Sequence, residues 1–172
     1  AGSRDIGVVY LLGADEIDMS RLGNTFVIYQ GHHGDAGAHR ADVILPGAAY
    51  TEKNATWVNT EGRPQRGKRA VFPPGEARED WRILLDLFAA MGLPQPFESA
   101  SDVFDEVTSL TPILGGMSYE RLEKEGGLQW PCPTHDHPGT PYLHADQMES
   151  GLPGFFAPVD HIPPAEEPDE RY

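Results

Sequence analysis

A single cysteine, Cys132, in 172 residues leaves no internal disulfide framework. It also leaves no iron–sulfur cluster held by this chain alone, since such clusters take about four thiolates. No apolar run reaches the roughly 18 residues that a transmembrane helix needs, so direct membrane insertion is not expected. Lys and Arg are scarce in the second half: residues 96–172 hold 15 acidic and 3 basic side chains, in a chain of net charge −14. Phosphate backbones and anionic membrane surfaces bind clustered cations, so neither nucleic acid nor lipid is expected as a partner there. G-x-G-x-x-G and Walker motifs are both missing, which argues against independent nucleotide binding. The start, Ala1-Gly2-Ser3-Arg4-Asp5, has neither an initiating Met nor an apolar signal region, and reads as cut from something longer. A soluble, reducing compartment follows as the expectation.

Three short apolar runs are present, about 18 residues apart: Ile6 to Leu12, Thr25 to Tyr29 and Ala41 to Leu45. Each ends at a turn, Gly13-Ala14-Asp15-Glu16, Gln30-Gly31 and Pro46-Gly47 respectively, and each reads as a strand buried on both faces. The implied fold is α/β: a partial parallel, Rossmann-like sheet with flanking helices. The gaps are barely long enough for right-handed parallel crossovers, so the sheet is expected to be incomplete. Thr56 to Gln65 predicts a β-hairpin excursion turning at Glu61-Gly62, and Gln65 to Arg69 is a compact basic patch.

Glu76 to Met91 predicts a helix with one apolar stripe of Ala77, Trp81, Leu84, Leu85, Phe88 and Met91. Glu76, Glu79 and Asp80 fall in its first turn, where the helix dipole favours acids, and Gly92 ends it. A second helix is expected from about Ala100 to Leu110, capped by Ser99 with Asp102 as capping-box partner. A third is expected around Tyr119 to Glu125, ending at Gly126-Gly127. From Pro131 onward lie 9 of the 16 prolines, a density that forbids regular helix and favours an irregular, extended tail. The organisation read from these signals is an α/β domain at 1–95, a short helical segment at 96–130 and a Pro-rich acidic tail at 131–172.

His32-His33-Gly34-Asp35 with His39 has metal-ligand chemistry but matches no common ligand spacing. Adjacent histidines on a loop tend to point apart, so a polar connecting loop is expected instead. Cys132 with His135 or His137 could form a nucleophile pair, but no basic residue near it in sequence would activate the thiol.

The stretch Tyr29 to Lys53, continuing from Trp57 to Gln65, carries Ala41-Asp42-Val43-Ile44-Leu45-Pro46, Thr51-Glu52-Lys53 and Asn59-Thr60-Glu61-Gly62-Arg63 in that order. In this it resembles the molybdopterin oxidoreductase superfamily. With Gly34-Asp35-Ala36-Gly37-Ala38 it is most similar to the large iron–sulfur subunit of bacterial NADH–quinone oxidoreductase (respiratory complex I). That resemblance runs from about Val8 to Met91. Beyond Phe97, Ser118-Tyr119-Glu120-Arg121-Leu122, Gly127 to Pro133, His137 to Pro141 and Pro163 to Glu170 resemble the formate dehydrogenase alpha subunit, so the chain reads as a mosaic of two relatives.

The resemblance implies a fragment of a redox-complex subunit, catalysing nothing alone. Its iron–sulfur clusters, and a molybdopterin guanine dinucleotide in the formate dehydrogenase branch, would be held by other parts of the parent. Gly13, Asp15, Thr51, Glu52, Asn59, Glu61 and Arg63 are by analogy the positions for cofactor or domain contacts. In the complex I branch these residues would be scaffold, and that reading is preferred. The alternatives are a pterin-pocket segment of a formate dehydrogenase and a non-enzymatic interaction module using the acidic tail. The implied partners are the remainder of the same subunit and other subunits of a respiratory or formate dehydrogenase complex. The implied location is cytoplasmic, peripheral to the inner membrane through that complex.

Overall fold

The computed structural model describes residues 6–14 and 16–142. Three parallel strands, β1 (Val8–Leu12), β2 (Phe26–Gly31) and β3 (Val43–Pro46), form a sheet in the order β1-β2-β3. Val9 sits beside Val27 and Leu11 beside Tyr29, so alternate side chains line one face together. A 3-10 helix (Met19–Leu22) and the short helix α1 (Ala36–Arg40) make the crossovers and cover that face. Leu11, Leu22, Val27, Tyr29 and Ala38 form its buried core. Asp42, from the Ala-Asp-Val-Ile-Leu-Pro element, accepts the Val27 N–H at 2.8 Å and donates its own N–H to the Val27 carbonyl. Its role is to lengthen the ladder at the start of β2.

The expectation that all three strands are buried on both faces needs correcting. On the second face Val8, Leu12, Phe26 and Val43 remain 40 to 57% exposed. Parallel sheets are stable when both faces are covered, and on this face the described residues cover the end of β2, where Gln30 is fully buried beside Asp80, but leave these four side chains open.

The first long helix also departs from expectation. It is α2 (Asp80–Ala90), not Glu76 to Met91. Arg78 bridges Gly47 in parallel fashion, donating to the Pro46 carbonyl at 3.1 Å and accepting from the Ala48 N–H at 2.7 Å. Residues 76–78 are thus drawn beside the end of β3, and the helix starts only after Glu79. Asp80 alone is left as the first-turn acid, and Ile83, outside the expected stripe, is the buried residue of α2. Phe88 and Met91 of that stripe are exposed.

A second core assembles around the hairpin of β4 (Ala55–Val58) and β5 (Pro64–Gly67), which is antiparallel as expected. Asn59 accepts the Glu61 and Arg63 N–H groups, each at 3.0 Å, and Gly62 takes a φ of +75° that non-glycine residues rarely adopt. Helices α3 (Ala100–Leu110) and α4 (Tyr119–Glu125) have the expected bounds because their caps are local. Ser99 Oγ accepts the Asp102 N–H while Asp102 accepts back from Ser99, and Gly126 ends α4 in the left-handed conformation. The Glu98 and Ser99 contacts hold the Asp102 carboxyl below its ordinary 3.8.

Residues 128–130 continue the hairpin, Leu128 donating to Pro64 and Trp130 to Gly62 through their backbone N–H groups. After the cis Trp130–Pro131 bond, Cys132 exchanges backbone hydrogen bonds of 2.7 Å with Ile113 and Gly116. Phe104, Leu114, Met117, Leu122, Leu128 and Cys132 close this core. Residues 131–142 are irregular chain with a turn at Thr134–His137, tied to α4 where Arg121 donates to the His137 carbonyl; residues 143–172 of the expected tail lie outside the described residues. The basic patch is tied into the same unit, with Arg66 stacked on the Tyr119 ring at 4.1 Å and both Arg66 and Lys68 paired with Glu123. Lys68's hydrogen bond, with Arg66's charge behind it, keeps the Glu123 carboxyl below its usual range.

Candidate functional site

In open parallel sheets the crevice at the carboxyl ends of the strands is where ligands bind. Here that rim holds a chain of polar side chains drawn from four places in the sequence. Tyr10 Oη donates to Gln30 Oε1, and Gln30 Nε2 donates to Asp80 Oδ1 at 2.9 Å. Asp80 Oδ2 meets Lys53 Nζ at 2.5 Å. Gln30 is fully buried, so its amide depends on these partners. Burial, with the Asp80 charge adding to it, raises the Tyr10 phenol above its ordinary range. Glu79 works alongside, accepting the Asn54 N–H at 3.1 Å and pairing with Arg82. Asp80 sits in the first turn of α2, at the positive end of the helix dipole. Each group in the chain satisfies another, and the arrangement clamps β1, β2, the Lys53 turn and α2 to one another.

Beside it, a cavity of about 490 Å³ is walled by the loops after β2 and β3, among them Gly31, His32, His33, Pro46 and Gly47, together with Glu52 and Glu76. Of the residues singled out from sequence, Gly13 turns the chain at φ +57° and donates to the Gln30 carbonyl at 2.7 Å. Asp15 lies outside the described residues. Thr51 accepts the Ala70 and Val71 N–H groups through its carbonyl. Glu52 Oε2 accepts the Ala49 N–H at 2.9 Å, closing the 3-10 turn Tyr50–Glu52. Asn59 and Glu61 belong to the hairpin turn, where the Glu61 carbonyl accepts from Gln129. Arg63 faces a different cavity, about 340 Å³, lined also by Glu125, Gln129 and Thr140. The six described positions thus divide between the sheet rim and the hairpin turn, and Glu52 and Arg63 line different cavities.

His32 and His33 do not point apart: their rings lie 4.2 Å from centroid to centroid, tilted by 45°. Among the described residues no group of three or more His, Cys, Asp or Glu side chains converges on a metal position. Cys132 is fully buried, its thiol near the His137 carbonyl rather than an imidazole. A cation does stand close to it, contrary to the reading from sequence neighbours: Arg121 Nη1 is 3.6 Å from Sγ.

A family model described as molybdopterin oxidoreductase matches residues 1–90. The chain belongs to the molybdopterin oxidoreductase family. It is 52% identical over 106 residues to the NADH-ubiquinone oxidoreductase 75 kDa subunit of Reclinomonas americana, covering 62% of this chain and 15% of that protein. It is 47% identical over 139 residues to the F420-dependent formate dehydrogenase 2 subunit alpha of Methanococcus maripaludis, covering 78% of this chain and 20% of that protein. Relatives of both expected kinds are thus found, the formate dehydrogenase match being too long to lie in the second half alone, and the chain spans about a fifth or less of their length. Among solved structures, acetylene hydratase from Pelobacter acetylenicus shares the fold, with a TM-score of 0.53 and 20% identity over 72% of this chain and 18% of that one.

The family name implies a molybdopterin group, and the residues present do not suffice to hold one. The rim side chains best placed to grip a ligand, Gln30, Asp80 and Lys53, are bonded to one another, while Glu52 and Asn59 bind backbone N–H groups. What remains is a wall. An iron–sulfur cluster fits still less well, because the one thiol is sealed in the second core. Tyr10, Gln30, Lys53 and Asp80 do not stand out as a group in the sequence. The one available signal is Gln30, an amide closing an otherwise apolar strand.

Proposed function

We propose that this chain is a scaffold piece of a large redox subunit, most like the corresponding part of the complex I subunit, with electron transfer performed by centres elsewhere in the parent. The observation that carries this reading is the second sheet face, where Val8, Leu12, Phe26 and Val43 stand open to solvent. An apolar patch of this kind on a parallel sheet marks a surface meant for further protein. On this reading the partners are the rest of the same subunit and its neighbours in a respiratory complex. Attachment to the membrane would be through that complex, since no helix among the described residues is long and apolar enough to cross a bilayer.

A second reading is favoured by the longer formate dehydrogenase match, which extends over 78% of the chain. In it the cavity beside Gly31, Pro46 and Glu52 would form one wall of a pterin dinucleotide pocket, completed by other parts of the parent.

The scaffold reading predicts that the isolated chain self-associates through the open sheet face. In sedimentation velocity the average mass should rise with concentration. The double substitution Val8→Lys with Leu12→Lys should shift the equilibrium about tenfold or more towards monomer, because two charges would then have to be desolvated in the contact. A wild-type chain that stays monomeric at all concentrations and melts sharply would refute the reading.

A further inference from the structure

The β4–β5 hairpin has one used outer edge and one open one. Asn59 donates its N–H to the Arg63 carbonyl, which fixes the phase of the ladder: Trp57 with Gln65 and Ala55 with Gly67 are the hydrogen-bonded pairs. The backbone groups of Thr56 and Val58 therefore point away from β5. On the β5 side the outward Pro64 carbonyl accepts from Leu128, so that edge is taken. On the β4 side Glu79 accepts the outward Asn54 N–H at 3.1 Å, in the place a neighbouring strand's carbonyl would occupy. Beyond that point, no described residue hydrogen-bonds to the outward backbone groups of Thr56 or Val58.

Beside β4 lies an open groove of about 290 Å³, walled also by the start of α2 and by α3. Its lining is largely apolar, with Trp57, Trp81, Val103 and Val107 among it, and Trp57 and Val107 are each more than two-fifths exposed. Lys53 is the one cation in the lining, and Asp80 already neutralises it. The free charge nearby is negative. Glu98, Asp102, Asp105 and Glu106 stand in or just before α3, which has no basic residue. Among the described residues none of these four acids is in an ion pair, and Asp105 and Glu106 are exposed. An open strand edge selects extended backbone, an apolar groove selects a side chain, and unpaired carboxylates select cations. We propose that this site binds an extended, basic segment of another polypeptide, which adds to β4 as a strand. It places an apolar side chain among Trp81, Val103 and Val107 and turns arginine or lysine towards Asp105 and Glu106. The site is separate from the open sheet face at Val8 and Phe26, so either can fail without the other.

The test is a titration of the full 172-residue chain, followed by amide NMR, with two synthetic pentapeptides blocked at both ends. One reads arginine-valine-phenylalanine-valine-arginine, and the other has glutamate in place of each arginine. The arginine peptide should bind saturably, about tenfold or more tighter than its glutamate counterpart. The Thr56 and Val58 amides should shift, and their hydrogen exchange should slow about tenfold as they gain acceptors. Asp105→Lys with Glu106→Lys, two exposed positions on α3, should narrow the gap between the peptides severalfold while leaving the melting temperature in place. Absence of saturable binding, equal binding of the two peptides, Thr56 and Val58 amides that do not move, or a gap indifferent to the double substitution would each overturn the proposal.

Discussion

Asp80→Ala lowers the stability of this chain by about 2 kcal/mol, which for a fold of this size is a fall of roughly 5 °C in melting temperature. Removing the carboxylate leaves the Lys53 ammonium, only 15% exposed, without its partner, and leaves the buried Gln30 amide without its main acceptor. Breaking a fully buried pair in this way costs about 3–5 kcal/mol, and the one-third exposure of Asp80 brings the figure down. Asp80→Asn should cost less, because an amide oxygen still accepts from Gln30. The double change Lys53→Met with Asp80→Leu should recover much of the loss, since no charge is then stranded. Thermal melts of the four proteins measure this, and equal melting temperatures for Asp80→Ala and wild type would show that the rim clamp contributes nothing.

Gly116→Ala should destabilise the second core by about 3 kcal/mol. A Cβ at this position would overlap the Thr134 carbonyl oxygen and press on the Cys132 carbonyl, both backbone atoms that cannot swing away. Three bonds converge there. The Gly116 N–H donates to Cys132 at 2.7 Å, its carbonyl accepts from Arg121 at 2.6 Å, and Cys132 donates to Ile113 at 2.7 Å. Forcing residues 132–134 outward would open the seal around the only thiol. Reaction of Cys132 with a thiol reagent should therefore speed up on the order of a hundredfold, since labelling reports the opening equilibrium. A variant as slow to react as wild type would show that the segment can shift at little cost.

Sequence and structure agree most closely where structure is decided locally. The α3 and α4 bounds follow from Ser99, Asp102, Ser118 and Gly126, each of which acts within a few residues of itself. The strands are legible as apolar runs, but their ends move by one or two residues because pairing partners set them. The start of α2 is not legible: Glu76 to Glu79 look like a first helical turn until Pro46 and Ala48, some 30 residues earlier, capture Arg78. Burial on both sheet faces is overestimated because the strand composition anticipates a cover that the described residues supply only at the end of β2, where Gln30 meets Asp80. The rim clamp is invisible for a related reason. Tyr10, Gln30, Lys53 and Asp80 show no spacing pattern, and only the parallel register and the position of α2 bring them together. Asn59, Glu52 and Gly13, picked out through family likeness, have clear structural work in turns. That work is the same whether or not the parent holds a pterin.

On the scaffold reading, this chain lends shape to a redox subunit and borrows its electron carriers from other parts of it. The direct measurement is metal analysis and activity on the chain purified anaerobically. Iron and molybdenum should be far below one atom per chain, the protein should be colourless, and neither NADH nor formate should reduce an artificial dye. A stoichiometric metal centre or bound chromophore on this polypeptide alone, together with turnover of either donor, would contradict it.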